Sequence, residues 1–141
     1  MKLDLINSEK DREIVMRKEN KPKLLDLLRK FGNVVDYMTS DMVAKFYKVG
    51  ERAIADIGTT KKSELERYGY KAYKRSEILN MEVPYLETIP NRGLRLYPIE
   101  AVVVIGMMLT ESKVAEDIRN EIINELFGVS TKDKISRLRI I

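Results

Sequence analysis

SDMVAKFYKVGERAIADIG, Ser40 to Gly58, is the stretch on which the reading of this chain turns. Its spacing predicts two short helices around a tight turn. Ser40 is placed to cap the first, Asp41 to Tyr47, and Glu51 to Ile57 forms the second, with Ile54 and Ile57 three apart on one face. Lys48-Val49-Gly50 is the turn, its glycine supplying backbone freedom that other residues lack. Val43, Ala44, Tyr47, Val49, Ile54 and Ile57 are then the inward set. A helix-turn-helix needs such a set, because two helices that cross closely require small or apolar residues on both inner faces. The same set also suits an ordinary helical hairpin in a small core.

Composition narrows the chemistry. The chain has 141 residues and is 44% hydrophobic, enough for one domain with a real core. It has no cysteine, histidine or tryptophan. Cys/His metal sites, thiol or histidine nucleophiles and disulfides are thereby excluded, and neither a cofactor nor a metal is expected. The carboxylates Glu116, Asp117, Glu121 and Glu125 lie one turn apart in pairs, but without histidine or an Asp-x-Asp grouping they read as a solvated helix face. No catalysis is expected. The start, MKLDLINSEKDRE, is too polar for a signal peptide, and Ala101 to Leu109 is far short of the ~20 apolar residues of a membrane span. A cytoplasmic protein is expected, with no membrane partner.

Net charge is +4, and its distribution is uneven. Between Thr60 and Arg75, Lys61, Lys62, Arg67, Lys71, Lys74 and Arg75 face only Glu64 and Glu66. Pro98 to Gly128 is acidic, and the tail from Val129 is basic again. A basic region beside the two-helix motif suits oriented binding to a polyanion.

Around the motif, Ser8 caps an expected helix over Glu9 to Asn20, highly charged and mostly exposed. Pro22 opens a second helix, Lys23 to Phe31, whose stripe of Leu24, Leu25, Leu27, Leu28 and Phe31 must be buried on the main core or against a second chain. Val34 to Met38 is β-prone. Lys61 to Tyr68 reads as a brief helix, Tyr70 to Tyr73 as a strand, and Ser76 as a cap for Glu77 to Asn80. Met81 to Asn91 reads as loop, and Gly93 to Tyr97 as a strand that pairs with Tyr70 to Tyr73. Tyr68, Tyr70 and Tyr73 are read as aromatic core on this small sheet rather than as base-stacking platforms. Pro98 starts the next helix, although Val102 to Ile105 also fits a core strand. Val114, Ala115, Ile118, Ile122 and Leu126 mark a last amphipathic helix up to Gly128. The fold expected is mainly α with a small β element: a winged helix-turn-helix-like domain over 34–128. An N-terminal helical extension, 1–33, is a candidate dimerisation element, and 129–141 is a basic tail.

Two segments, VVDYMTSDMVA from Val34 to Ala44 and RGLRLYPIEAVVVIGMMLTESKVAEDIRNEIINEL from Arg92 to Leu126, resemble the Bro-type amino-terminal domain of phage antirepressor-like proteins. Ser112, Ala115 and Arg119 carry the match in the second. The resemblance implies DNA-binding regulation in a phage or other mobile element, inside a bacterial or phage-infected host cell, sometimes through contact with a repressor.

Two functions follow as expectations. The first is a small transcriptional regulator that binds double-stranded DNA as a homodimer. Glu51, Arg52 and Ala55, with Asp56, are then the outward positions of the second motif helix; Arg pairs bidentately with guanine, and Glu accepts from the amino group of cytosine. Ser40, Lys45, Lys48, Thr59, Thr60, Lys61 and Lys62 would hold phosphates, and Arg92 and Arg95 would do so from the wing. The second is an antirepressor-like module that binds a repressor or host protein without reading DNA, through the acidic 98–128 region and the leucine stripe. Asp56, which phosphates repel, favours the second.

Overall fold

The computed structural model describes residues 3–81, 83 and 88–128. The tail at 129–141 and part of the loop expected at 81–91 lie outside them. Five helices carry the first half: α1 (Glu9–Val15), α2 (Lys21–Phe31), α3 (Ser40–Tyr47), α4 (Glu51–Thr60) and α5 (Lys62–Glu66). Strand β1 (Tyr37–Met38) precedes α3. Then follow β2 (Lys71–Tyr73), α6 (Arg75–Asn80), β3 (Leu94–Pro98), α7 (Ile99–Met108) and α8 (Lys113–Ile122). Three strands form one antiparallel sheet in the order β1-β3-β2.

Helix α7 is the hub. Every residue from Ala101 to Met108 is buried, so no solvent face is left for a polar residue to occupy. Full burial of each valine or isoleucine is worth about 1.5–3 kcal/mol. The run Val102–Ile105, open between strand and helix by periodicity, is helical. Pro98 ends β3 and caps α7 in an extended conformation, rather than being the first helical residue. The leucine stripe of α2 closes on this same core: Leu24, Leu27 and Leu28 are buried in one cluster with α7 and α8.

The β2–β3 pairing expected from alternation is present, with Lys71 opposite Leu96, Ala72 opposite Arg95 and Tyr73 opposite Leu94. Alternation sorts the two faces of β3. Leu94 and Leu96 pack with Ile78 of α6 in a second small cluster, while Tyr97 joins the main core. Only Tyr37 and Met38 of the expected strand at 34–38 have a partner strand, because β3 ends at Pro98, opposite Tyr37.

Other boundaries shift for local reasons. The first helix stops at Val15 and resumes as a 3-10 turn over Lys18–Asn20. It is also less exposed than its charge suggests. Arg12 and Val15 are buried, and Arg12 donates from Nε and Nη2 to both Glu64 carboxylate oxygens at 2.7 Å. Its Nη1 donates to the Leu5 and Ile6 carbonyls at 2.8 and 2.9 Å. Arg67 adds an exposed clasp to Glu9 and Glu13. The helix after the motif is confined to Lys62–Glu66, and α6 begins at Arg75 rather than behind a Ser76 cap. There the Glu77 carboxylate accepts from the Lys74 amide at 2.7 Å, which with the Lys71 ammonium holds its pKa below the usual carboxylate range. The last helix passes at Ile122 into a π-turn, Ile123–Phe127, before Gly128 turns left-handed.

Candidate nucleic-acid interface

Helices α3 and α4 are joined by a three-residue turn, as the spacing predicted, but the capping differs. Thr39, not Ser40, is the N-cap: its hydroxyl accepts from the Met42 amide at 3.2 Å. Ser40 becomes the first helical residue and its hydroxyl donates instead to Glu51 Oε2 at 2.6 Å. The left-handed residue of the turn is Lys48, at φ 58°, which lets the Val49 amide reach the Ala44 carbonyl. Gly50 sits at φ −72°, open to any residue, so the glycine is not what makes the turn. Val43, Ala44, Tyr47 and Ile54 are fully inward as expected, with Val49 and Ile57 packed at the margin.

Helix α4 runs to Thr60, one turn beyond the expected Ile57. Its outer face presents Glu51, Arg52, Ala55, Asp56, Thr59 and Thr60, all exposed. Its inner face ends at Gly58, beneath the Tyr70 and Tyr97 rings, which stack with centroids 4.5 Å apart. A Cβ at Gly58 would lie 2.9 Å from the Tyr97 hydroxyl, so a glycine permits the sheet to approach the helix this closely. Tyr97 is raised above the usual tyrosine pKa by burial, then by hydrogen bonding to Tyr70. The Glu51 charge raises it further, while the Arg95 charge acts the other way.

The sequence-predicted phosphate contacts divide. Lys48, Lys61 and Lys62 are exposed, with no ion pair among the described residues; Arg52 is likewise unpaired, although Glu51 and Asp56 are near in sequence. Lys45 is exposed but pairs with Asp41 at 3.1 Å, a surface contact worth at most about 1 kcal/mol. Thr59 and Thr60 turn their hydroxyls back onto the Ala55 and Asp56 carbonyls at 3.1 and 2.9 Å. On β3, Arg95 is exposed and lies over the Tyr70 ring at 5.5 Å, beside α4. Arg92 is exposed in the turn that enters β3, next to Gly93 at φ 87°.

Tyr70 and Tyr97 were legible only in part: Tyr70 as aromatic core, Tyr97 merely as a strand residue. Tyr73 packs edge-on against Tyr37 rather than offering a free face, and Tyr68 is half-buried against the main core. Ser112 and Arg119 have structural work. Ser112 caps α8 by accepting from the Ala115 amide at 3.0 Å and donates to the Tyr47 carbonyl at 2.6 Å. Arg119 donates to the Gly106 and Leu109 carbonyls at 3.0 and 2.8 Å, closing the carboxyl end of α7. Burial lowers its pKa, while the Glu116 charge acts the other way.

Among the described residues no group of three or more acidic side chains could hold a metal ion, and no helix is long and apolar enough to cross a membrane. No family model, curated protein or solved structure matches this chain.

Proposed function

We propose that the chain is a DNA-binding regulator of the phage antirepressor-like kind, and that its α2-β1-α3-α4-β2-β3 core is a winged helix-turn-helix. In this reading α4 enters the major groove of duplex DNA and the paired strands β2 and β3 lie along the neighbouring backbone. Two copies would bind two half-sites, since one short recognition helix seldom gives enough affinity alone.

The observation that carries the reading is the state of the cations around α4. Lys48, Arg52, Lys61, Lys62 and Arg92 have no carboxylate partner among the described residues, whereas Arg12, Lys21, Lys30, Arg67 and Lys113 are spent on internal pairs. Lys10, Arg17, Lys18 and Lys23 also have no ion-pair partner among the described residues. Placement around an exposed helix and the turn that enters β3, rather than free charge alone, therefore singles out this face. Asp56, exposed on α4, is the observation that favours the second reading, a module that binds a repressor or host protein without touching DNA.

One titration separates the two. Fluorescence anisotropy with genomic duplex fragments, including the gene's own upstream region, at two salt concentrations should find one tightly bound fragment. Reversing Lys61 and Lys62 to glutamate should weaken binding at least tenfold and reduce the salt slope by about 2, one unit per lost phosphate contact. No binding at micromolar protein and low salt would refute the DNA reading and leave the protein partner.

A further inference from the structure

Glu51 is the one exposed carboxylate of α4 that the fold holds in place. Ser40, at the start of α3, donates its hydroxyl to Oε2 at 2.6 Å across the turn. Ser40 is freed for this by Thr39, which takes the capping role. The other oxygen, Oε1, has no hydrogen-bond partner among the described residues. Glu51 also stands in the first turn of its helix, where the aligned backbone amides favour negative charge. Ala55 lies four residues on, along the same exposed stripe.

Resting on the DNA-binding reading, we infer that the Ser40–Glu51 pair is a specificity element that selects a cytosine. A carboxylate has only acceptors to offer, so it repels the O6 and N7 of guanine and the O4 of thymine in the major groove. Adenine offers a donor at N6 but places its N7 acceptor beside it. Cytosine offers its N4 amino group and has no acceptor of its own in that groove, the paired guanine O6 lying only on the far side of the amino group. Facing phosphates, a lone carboxylate weakens binding to every sequence alike. Glu51 therefore contributes by rejecting wrong bases more than by adding affinity, and its serine partner, by occupying Oε2, leaves Oε1 as the free acceptor. Ser40 is thus a positioning residue and Glu51 the reading one.

The test is selection of binding sites from a randomised duplex library by the wild type, Glu51→Gln and Ser40→Ala, followed by anisotropy on the selected duplex and its single-base variants. Both side chains are at the surface, and circular dichroism checks that each variant is folded. The wild type should enrich cytosine at one position per half-site and lose about fivefold to tenfold in affinity when that base is changed. Glu51→Gln should abolish that preference while binding unselected DNA as well as the wild type or better. Ser40→Ala should reduce the preference and leave the other positions alone. An unchanged base preference in Glu51→Gln, with DNA still bound, would overturn this inference and spare the DNA-binding reading. Failure of the wild type to enrich any duplex would overturn both.

Discussion

Cutting the buried Arg12–Glu64 pair is the most demanding check of the fold. Arg12 makes four hydrogen bonds, two to the Glu64 carboxylate and two to main-chain carbonyls, and the two side chains are only 1% and 4% exposed. Glu64→Leu leaves the guanidinium in place with half its partners and no counter-charge. The cost of an uncompensated buried charge is about 3–5 kcal/mol. Arg12→Met strands the carboxylate and should cost a similar amount, with the Leu5 and Ile6 carbonyls losing their donor as well. In the double variant no charge remains, and the loss should fall to the about 1–3 kcal/mol of the buried Leu5 carbonyl, since the half-buried Ile6 carbonyl can still meet water. The double variant should therefore be more stable than either single one. Urea denaturation of the four proteins, followed by helical circular dichroism, measures each difference. A loss below about 1 kcal/mol in Glu64→Leu, the value of an exposed pair, would refute the buried geometry. So would single losses that simply add.

Three further perturbations test the core and the α3–α4 turn. Tyr47 is buried and donates to the Val102 carbonyl at 2.6 Å, and burial raises its pKa well above the usual value, as it does for Tyr97. The folded state then keeps protons that the unfolded chain releases above about pH 10, so stability is constant below that pH and falls above it by about 1.4 kcal/mol per pH unit for each tyrosine. Alkaline denaturation should show this slope, and Tyr47→Phe should remove one tyrosine's share. A Cβ at Gly106 would lie 2.3 Å from the Tyr47 hydroxyl, so Gly106→Ala should lose about 1–3 kcal/mol by thermal melting, and adding Tyr47→Phe should recover part of it. Lys48→Gly should gain about 0.5–1 kcal/mol in urea, because the left-handed conformation costs about 1–2 kcal/mol for a residue with a Cβ and glycine returns part of that as unfolded-chain entropy. A loss of stability there would contradict the turn geometry.

What could be read beforehand was whatever repeats locally. The inward set of the α3–α4 motif, the β2–β3 alternation and the apolar run of α7 are short-range patterns, and each marks an observed element. Arg12–Glu64 was invisible because 52 residues separate the partners and a charged, alternating helix reads as solvated. The left-handed position was misassigned because a glycine stood nearby, although the helix geometry required the bend at Lys48. At the candidate interface, exposure along α4 followed from helical spacing. Lys45 and Asp41 stand four apart on α3, a spacing that already carries their pairing, whereas the inward-turned Thr59 and Thr60 hydroxyls and the Ser40–Glu51 bond depend on rotamers and caps, which spacing does not encode.

The Ser112 hydroxyl joins two helices that are distant in sequence. It accepts from the first turn of α8 and donates to the last residue of α3, immediately before the chain bends toward α4. The acidic helix and the turn are thus strapped at one oxygen, and the Tyr47 ring wedged against Gly106 of α7 blocks slippage from the other side. Ser112→Ala, the loss of one oxygen atom, removes both contacts at once and leaves the Tyr47 carbonyl and the Ala115 amide without their partner.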